Sequence, residues 1–178
     1  MNSPVKNKKE MSLITLEDGL TAYQCLETEG VFLPVASYIE WLSKQPERLP
    51  QLPVDQSSEE AVFEGSSEVK ICPESGYIMQ RYCVGHGFNF YVDRSPNGSL
   101  WFDKGEWQAL RERQFHDEIH LIFTAPWQSK VRSEQKAQAE QVLLLERLGE
   151  SLLTKMEELH ELLQEHEYRD LAIAYLNR

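Results

Sequence analysis

The residues with the clearest potential for metal chemistry are two cysteines and a histidine. Cys83 and His86 have the two-residue spacing typical of metal ligands, and Cys72 lies eleven residues before Cys83. Thiolates and imidazoles are preferred zinc ligands, so these three side chains with one carboxylate or water would complete a metal site. The structural alternative is favoured, because alternation places Cys83 in a core-facing strand position and His86 beside a glycine turn.

Catalytic patterns are weak throughout the chain. A nucleophilic Cys72 or Cys83 would need His86 or His116 as its base, and nothing in the spacing fixes such a pair. There is no glycine-rich phosphate loop and no Gly-x-Ser-x-Gly elbow. His116 and His120 are four residues apart, on one face of a helix, but no third ligand follows at a clear spacing. We therefore expect no enzymatic activity, no bound metal and no other cofactor.

Aromatic side chains are concentrated between Tyr77 and Trp107. Burying one such side chain is worth about 2–3 kcal/mol, so an aromatic core is the favoured interpretation. The alternative is that one or two of them are exposed interface anchors. Trp127, which follows Pro126, would be either a docking anchor or a staple of the helices onto the sheet. The aromatic candidates for interaction are Trp101, Phe102, Trp107 and Trp127.

The first half of the chain has a simple pattern of strands and a helix. Two alternating stretches around Asp18-Gly19 predict a hairpin. Apolar residues from Tyr38 to Leu42 have helical spacing, with Ser37 as N-cap and an end near Pro46.

A second β-rich segment follows. Residues 69–92 alternate and predict two or three antiparallel strands, with turns at Glu74–Gly76 and Gly85–Gly87. Asp103 and Glu106 then form a pair like a capping box, which predicts a helix beginning at Asp103.

The C-terminal region has the pattern of a long amphipathic helix. Apolar residues recur every three or four positions from Val142 to Leu163, which predicts a helix of about 30 residues. A final helix is predicted over residues 168–176. The apolar face would pack within the chain, which is favoured, or against a second copy in a homo-oligomer, or against a protein partner. Three residues of this face are candidate interaction residues: Leu152, Met156 and Leu159.

The segment around Cys72-Pro73-Glu74-Ser75-Gly76 and the later stretch from Ser95 to Trp107 carry a family resemblance. The later stretch includes Trp101-Phe102-Asp103-Lys104-Gly105-Glu106-Trp107, close to a Trp-x-Asp-x-Gly-Glu pattern. These motifs resemble the bacterial zinc-binding domain of the transcription-factor-IIB type, in a version associated with cyanobacteria and plastids. The resemblance covers about 40 residues and implies a zinc ribbon, a small antiparallel β fold.

The departures from this family pattern concern the metal ligands. Cys72 is kept, whereas Ser75 and Ser95 stand where the resemblance implies two thiolates. The segment from Ser95 to Trp101 is one residue short, so the fourth cysteine is missing. A serine hydroxyl is a poor zinc ligand at neutral pH. The chain therefore resembles a degenerate ribbon that has lost its metal and keeps its fold by packing.

A fainter copy of the same pattern precedes it. The stretch from Cys25 to Leu33, followed by Tyr38 to Leu42, repeats the order of knuckle, aromatic and helix, with Thr28 in place of a second cysteine. The alternative is chance similarity between short segments.

The predicted fold class is α+β: one or two small zinc-ribbon-like antiparallel β units followed by a mainly helical region with a long amphipathic helix. The segments, in order, are a flexible tail at 1–10, a first degenerate ribbon-like unit at 11–49, an acidic Pro/Ser linker at 50–68, a second degenerate ribbon at 69–115 and a helical region at 116–178.

Composition limits the function classes. The chain has 178 residues and a net charge of −11, which disfavours binding to nucleic-acid phosphates. No apolar run is long enough for a membrane span and the N-terminus does not have the pattern of a signal peptide. Three cysteines indicate a reducing, cytoplasmic location.

The sequence thus favours a non-enzymatic adaptor, assembly or regulatory factor that binds a protein partner or complex. By analogy with the resembled family version, an auxiliary role in assembling a photosynthetic complex is one hypothesis. The alternative is a transcription-associated or nucleic-acid-associated protein of the zinc-ribbon type.

Overall fold

The computed structural model describes residues 1–5, 9–46, 49, 51–53 and 68–177. The chain divides into two compact units, which we call the β unit (Met1–Val131) and the helical unit (Arg132–Arg178). Within the described residues, a six-stranded antiparallel sheet is combined with five α-helices. The predicted α+β class is therefore confirmed.

The strands form one sheet in the order β1-β2-β3-β6-β5-β4. Their bounds are β1 Met11–Glu17, β2 Leu20–Cys25, β3 Val31–Leu33, β4 Gln80–Gly85, β5 Phe88–Arg94 and β6 Leu100–Phe102. The helices are α1 Val35–Leu42, α2 Glu106–Glu112, α3 Ala125–Leu148, α4 Glu150–Gln164 and α5 Arg169–Leu176, with a 3-10 helix at Ile119–Phe123. The predicted hairpin at Asp18-Gly19 is confirmed, since β1 and β2 pair across it.

The sheet consists of two halves with the same element order. Each half is a meander of three strands followed by a helix, α1 in the first half and α2 in the second. The halves meet where β3 pairs antiparallel with β6, with Phe32 opposite Trp101. The two ribbon-like segments predicted at 11–49 and 69–115 are thus joined in a single sheet and are not separate units.

The central strands are buried on both faces of this sheet. Val31 and Leu33 join the larger hydrophobic cluster, which also contains the aromatic residues of α1 and α2, whereas Phe32 joins a smaller cluster with Trp101. Successive residues of a strand point to opposite faces, so this division follows from the pleat. A Cβ added at Gly30 would lie 2.1 Å from Trp101 Cζ2, so only glycine allows the indole to lie there.

Residues 1–5, which belong to the predicted flexible tail at 1–10, make backbone and core contacts. The Ser3 amide donates to the Lys9 carbonyl at 2.7 Å, and the Ile71 amide donates to the Pro4 carbonyl at 3.0 Å. Val5 is buried in the smaller cluster. Backbone pairing to the chain near Ile71, a contact between distant residues, orders a segment that looks merely polar in sequence.

Two predicted helix starts are corrected by the structure. The N-cap of α1 is Pro34, not Ser37, and the Val35 amide donates to Ser99 Oγ at 3.1 Å. The N-cap of α2 is Gly105, with φ 83°, not Asp103. In the first case the capping hydroxyl comes from the other half of the sheet, which no local pattern reveals.

The single C-terminal helix of about 30 residues is replaced by two helices. Gly149 has φ 76°, a left-handed conformation that ends α3 after 24 residues and separates it from α4. Gln141 Nε2 donates to Glu157 Oε1 at 2.9 Å. Sixteen residues of continuous helix would span about 24 Å, so α4 folds back on the end of α3.

One further boundary differs from the prediction. The 3-10 helix and the first turns of α3 belong to the β unit, so its boundary lies at Val131 and not at 115. The predicted linker at 50–68 lies mostly outside the described residues. No helix in the described part of the chain is long and apolar enough to cross a membrane.

Candidate functional site

The residues that carry the zinc-ribbon resemblance converge in space. We call Cys72, Ser75, Ser95 and Asn97 the knuckle cluster. The hydroxyl oxygens of Ser75 and Ser95 lie 3.0 Å apart, and the Cys72 thiol faces Asn97 Oδ1 at an S···O distance of 4.0 Å. Two tight turns present these groups, since the Gly76 amide donates to the Cys72 carbonyl and the Gly98 amide to the Ser95 carbonyl.

A second layer of hydrogen bonds holds the knuckle cluster. Glu74 accepts from Asn97 Nδ2 at 3.0 Å and from the Ser99 hydroxyl at 2.5 Å. The Ser99 hydroxyl also accepts from the Val35 amide at the start of α1. The cluster is therefore connected through Ser99 to the other half of the sheet.

The polar groups of the knuckle cluster lower the pKa of the Cys72 thiol. Burial by itself raises the pKa of the Cys72 thiol, but hydrogen bonds from the Ser75 and Ser95 hydroxyls and from nearby backbone amides favour the thiolate. The net effect is a pKa below the ordinary value for cysteine. Hydrogen-bond donors of the knuckle cluster thus stabilise the thiolate form of Cys72.

The first half of the sheet has a corresponding group around Cys25. Hydrogen bonds from Thr28 and Ser3 outweigh the effect of burial and lower the pKa of this thiol. Cys25 and Cys72 belong to the same small hydrophobic cluster around Phe32 and Trp101. Sequence analysis identified Thr28 at this place but missed Ser3, although Ser3-Pro4 has the same serine-proline order as Ser95-Pro96.

The donor set of the knuckle cluster does not fit zinc. A structural zinc site uses four thiolate or imidazole ligands, whereas this cluster offers one thiol, two hydroxyls and an amide oxygen. The two hydroxyls and the amide already make hydrogen bonds within the protein. In the described part of the chain, no group of three His, Cys, Asp or Glu side chains is placed to hold a metal ion.

The weak metal candidates Cys72, Cys83 and His86 are not brought together. Cys72 packs in the smaller hydrophobic cluster, while Cys83 on β4 packs against the larger one. His86 is in the β4–β5 turn with φ 51°, its ring centroid is 4.1 Å from that of Trp127, and its carbonyl accepts from Arg113. The opposite faces of the sheet thus separate residues that are close in sequence.

The helical face predicted for His116 and His120 is absent, because the 3-10 helix begins at Ile119, after His116. His116 Nε2 lies 3.2 Å from Glu17 Oε1, and its ring lies between those of Trp41 and Trp107, with centroids at 5.6 and 5.9 Å. His116 therefore packs between α1 and α2.

Sequence analysis missed a buried cluster of charges on the β5–β6 pair. The Lys70 side chain has no exposed surface, and its Nζ lies 2.6 Å from Asp93 Oδ2 and 3.0 Å from Asp103 Oδ2. Asp103 Oδ1 also accepts from Trp101 Nε1 at 2.7 Å. Removing one partner of a buried ion pair is strongly destabilising, so these contacts fix Trp101 and the neighbouring strands β5 and β6 together.

Glu106 is a further buried carboxyl group beside the charge cluster around Lys70. It is almost fully buried, and its Oε2 accepts from the Asp103 amide at 2.7 Å. Burial raises the pKa of Glu106 to about 8, and the nearby carboxylates of Asp103 and Asp93 add to the effect. Of the two hydrogen bonds of the predicted capping-box-like pair, the structure has the one from the Asp103 backbone amide to the Glu106 carboxylate.

The aromatic interaction candidates lie in the core. Trp101 and Phe102 have no exposed surface, and Trp107 and Trp127 are also buried. Trp127 Nε1 donates to the Val84 carbonyl at 2.7 Å, and its ring stacks on Phe115. This burial agrees with the favoured interpretation, in which the aromatic residues form the core and Trp127 staples α3 to the sheet, and not with the alternative of exposed anchors.

The interaction candidates of the helical unit, unlike the aromatic candidates, are exposed. Leu152, Met156 and Leu159 on α4 are exposed by 48%, 50% and 36% of their surface. Among residues 132–177, only Leu153 is buried. Other large apolar residues of this unit that are exposed include Val142, Leu143, Leu145, Leu162, Tyr168, Leu171 and Tyr175.

Comparison of the chain with protein-family models, with curated proteins and with solved structures gives no match. The resemblance to a degenerate ribbon therefore rests on the residues of this chain alone.

Proposed function

We propose that this protein is a non-enzymatic factor, an adaptor or an assembly or regulatory protein, and that its helical unit supplies the surface that binds a protein partner. The observation that carries the proposal is the exposed stripe of Leu152, Met156 and Leu159 on α4. These residues are three or four positions apart, so they lie on one face of the helix.

The energetics of this stripe favour a partner. Complete burial of a leucine or methionine side chain stabilises by roughly 1.5–3 kcal/mol, and these three are about half exposed. Covering all three would contribute on the order of 3 kcal/mol, which is a factor of about 100 in affinity. An exposed apolar surface of this kind, rimmed by acidic residues, is typical of protein–protein contact sites.

The β unit serves as a scaffold in this proposal. Its aromatic residues are buried, its knuckle cluster is closed by hydrogen bonds, and its charged cluster around Lys70 is out of solvent. A role in assembling a photosynthetic complex stays a hypothesis within this proposal, carried by the family resemblance.

The proposal is tested with the double variant Leu152→Glu/Met156→Glu of the full-length protein. Glutamate has good helix propensity and both positions are exposed, so we expect the melting temperature to stay close to that of the wild type. The control is Leu26→Glu, at an exposed leucine of the β unit. Each protein is isolated with its partners by gentle affinity purification and cross-linking.

We expect the wild type and the control to recover one complex in constant stoichiometry, and the double variant to recover about a tenth of it or less. Equal recovery by all three proteins would contradict the assignment of the helical unit as the contact surface. Recovery of the protein alone in every case would contradict the proposed function.

A further inference from the structure

Helices α4 and α5 border an apolar groove. Residues of α4, α5 and their connection border an open volume of about 520 Å³, whose lining includes Leu159, Tyr168, Leu171, Ala172, Tyr175 and Leu176. This volume lies within the range of about 300–1,000 Å³ that is usual for ligand clefts. Leu171 and Tyr175 are exposed by 69% and 70%, although they are four residues apart on one face of α5.

The chain segment that forms most of this groove is strongly acidic. Between residues 157 and 170 the chain has six acidic residues and one base, Arg169, which gives a net charge of 1 − 6 = −5 with histidine neutral. The acidic residues adjoin the lining residues in sequence and are exposed: Glu157, Glu158, Glu161, Glu165, Glu167 and Asp170. An occupant that carries basic residues beside its apolar face would complement both properties.

We propose that the groove between α4 and α5 binds a basic amphipathic helix of a partner protein, with its apolar face toward Leu171 and Tyr175. This inference rests on the proposed function and names the chemistry of the partner segment. Helix-in-groove binding uses apolar anchors at i, i+3, i+4 and i+7, which suits an apolar groove lined by residues of two helices. The acidic rim would select lysine and arginine at the edges of the bound helix.

The same charges disfavour a second copy of this chain as the occupant. Self-pairing through a two-fold axis places the same surface of each copy against the other. The acidic rims of both copies would then meet, and like charges in contact oppose association. A membrane surface with anionic lipids is disfavoured for the same reason.

The test uses three synthetic peptides and the full-length protein. The first peptide has leucine at helical i, i+3, i+4 and i+7 positions and lysine elsewhere. The second replaces each lysine with glutamate, and the third replaces each leucine with serine. Binding of labelled peptide is measured by fluorescence anisotropy for the wild type, for Leu171→Asp and for Leu162→Asp, an equally exposed leucine of α4 outside the groove.

We expect the leucine/lysine peptide to bind the wild type at least about tenfold more tightly than either other peptide. Leu171→Asp should weaken this binding about tenfold, because an apolar anchor loses its contact, while Leu162→Asp should leave it unchanged. Equal binding of the lysine and glutamate peptides, or equal effects of the two variants, would overturn the proposal. So would concentration-dependent self-association that Leu171→Asp abolishes, because the occupant would then be a second copy.

The outcome is separable from that of the proposed function. If the purification with Leu152→Glu/Met156→Glu loses its complex but the peptides do not discriminate, the protein binds a partner by other chemistry. If the leucine/lysine peptide binds as expected but no stable complex is isolated, the groove is a real site and the wider function is refuted.

Discussion

Replacing Trp101 with alanine should unfold the β unit. The Trp101 side chain is completely buried at the centre of the sheet, opposite Phe32, and it covers Gly30 at a distance that no Cβ allows. Its Nε1 donates a 2.7 Å hydrogen bond to the carboxylate of Asp103, which in turn pairs with Lys70. The substitution thus removes a large core side chain and leaves one acceptor of a buried charged network without its donor.

The magnitude follows from these two losses. Truncating a buried tryptophan to alanine costs about 3–5 kcal/mol, and losing a hydrogen bond to a charged group costs about 1.5–3 kcal/mol. The sum of about 5–8 kcal/mol is comparable with the total stability of a domain, about 5–15 kcal/mol. Trp101→Phe keeps a ring in place and loses the N–H, so we expect it to cost about 2–4 kcal/mol and to leave a folded protein.

Urea unfolding followed by near-ultraviolet circular dichroism measures these differences, since the other tryptophans also lie in the β unit. Leu26→Ala, at an exposed position, is the control and should change stability by less than about 0.5 kcal/mol. A free energy of unfolding for Trp101→Ala within about 1 kcal/mol of the wild type would refute the reasoning. In that case the aromatic core would not be what supports the β unit.

Two further predictions concern the polar clusters. Because burial raises the pKa of Glu106 to about 8 while an unfolded glutamate titrates near about 4.3, the folded state holds the proton more tightly, and stability should fall as pH rises between these values. Glu106→Gln should remove this decline, which is on the order of a few kcal/mol between about pH 5 and pH 8, as measured by urea unfolding. Parallel pH profiles of stability for the variant and the wild type would contradict the raised pKa of Glu106. The triple variant Ser75→Cys/Ser95→Cys/Asn97→Cys surrounds Cys72 with three more thiols. Tetrahedral zinc with Zn–S bonds of about 2.3 Å needs S···S distances of about 3.8 Å. This requirement is close to the 4.0 Å between Cys72 Sγ and Asn97 Oδ1. We expect one zinc per chain by elemental analysis and a higher melting temperature with zinc; absence of zinc uptake by the folded variant would show that the shortened knuckle cannot form the site.

Local patterns accounted for much of the secondary structure. The hairpin at Asp18-Gly19, the turn before Gly76 and the final helix near Tyr168 depend on neighbouring residues, so their signals are present in a short window of sequence. The break at Gly149 was visible as the one glycine of the C-terminal region, but a mid-helix glycine costs only about 1 kcal/mol, so apolar periodicity outweighed it.

Long-range contacts explain what local patterns missed. Ser99 caps α1 from the other half of the sheet, Pro4 pairs with Ile71, and Lys70 joins Asp93 and Asp103 across distant segments. None of these partners is within a helical turn or a hairpin of the other. Sequence spacing therefore carries no signal for them.

The amino-acid sequence by itself determined the α+β class, the first hairpin and several turns, the aromatic content of the core and the acidic, apolar character of the C-terminal helices. Tertiary structure alone decided which faces these residues occupy. The fold placed Cys72 in the smaller hydrophobic cluster and Cys83 against the larger one, and the β3–β6 pairing buried Trp101. The helical unit left Leu171 and Tyr175 exposed, because packing there buries little beyond Leu153. Burial depends on contacts between residues far apart in the chain, and those contacts exist only once the chain has folded.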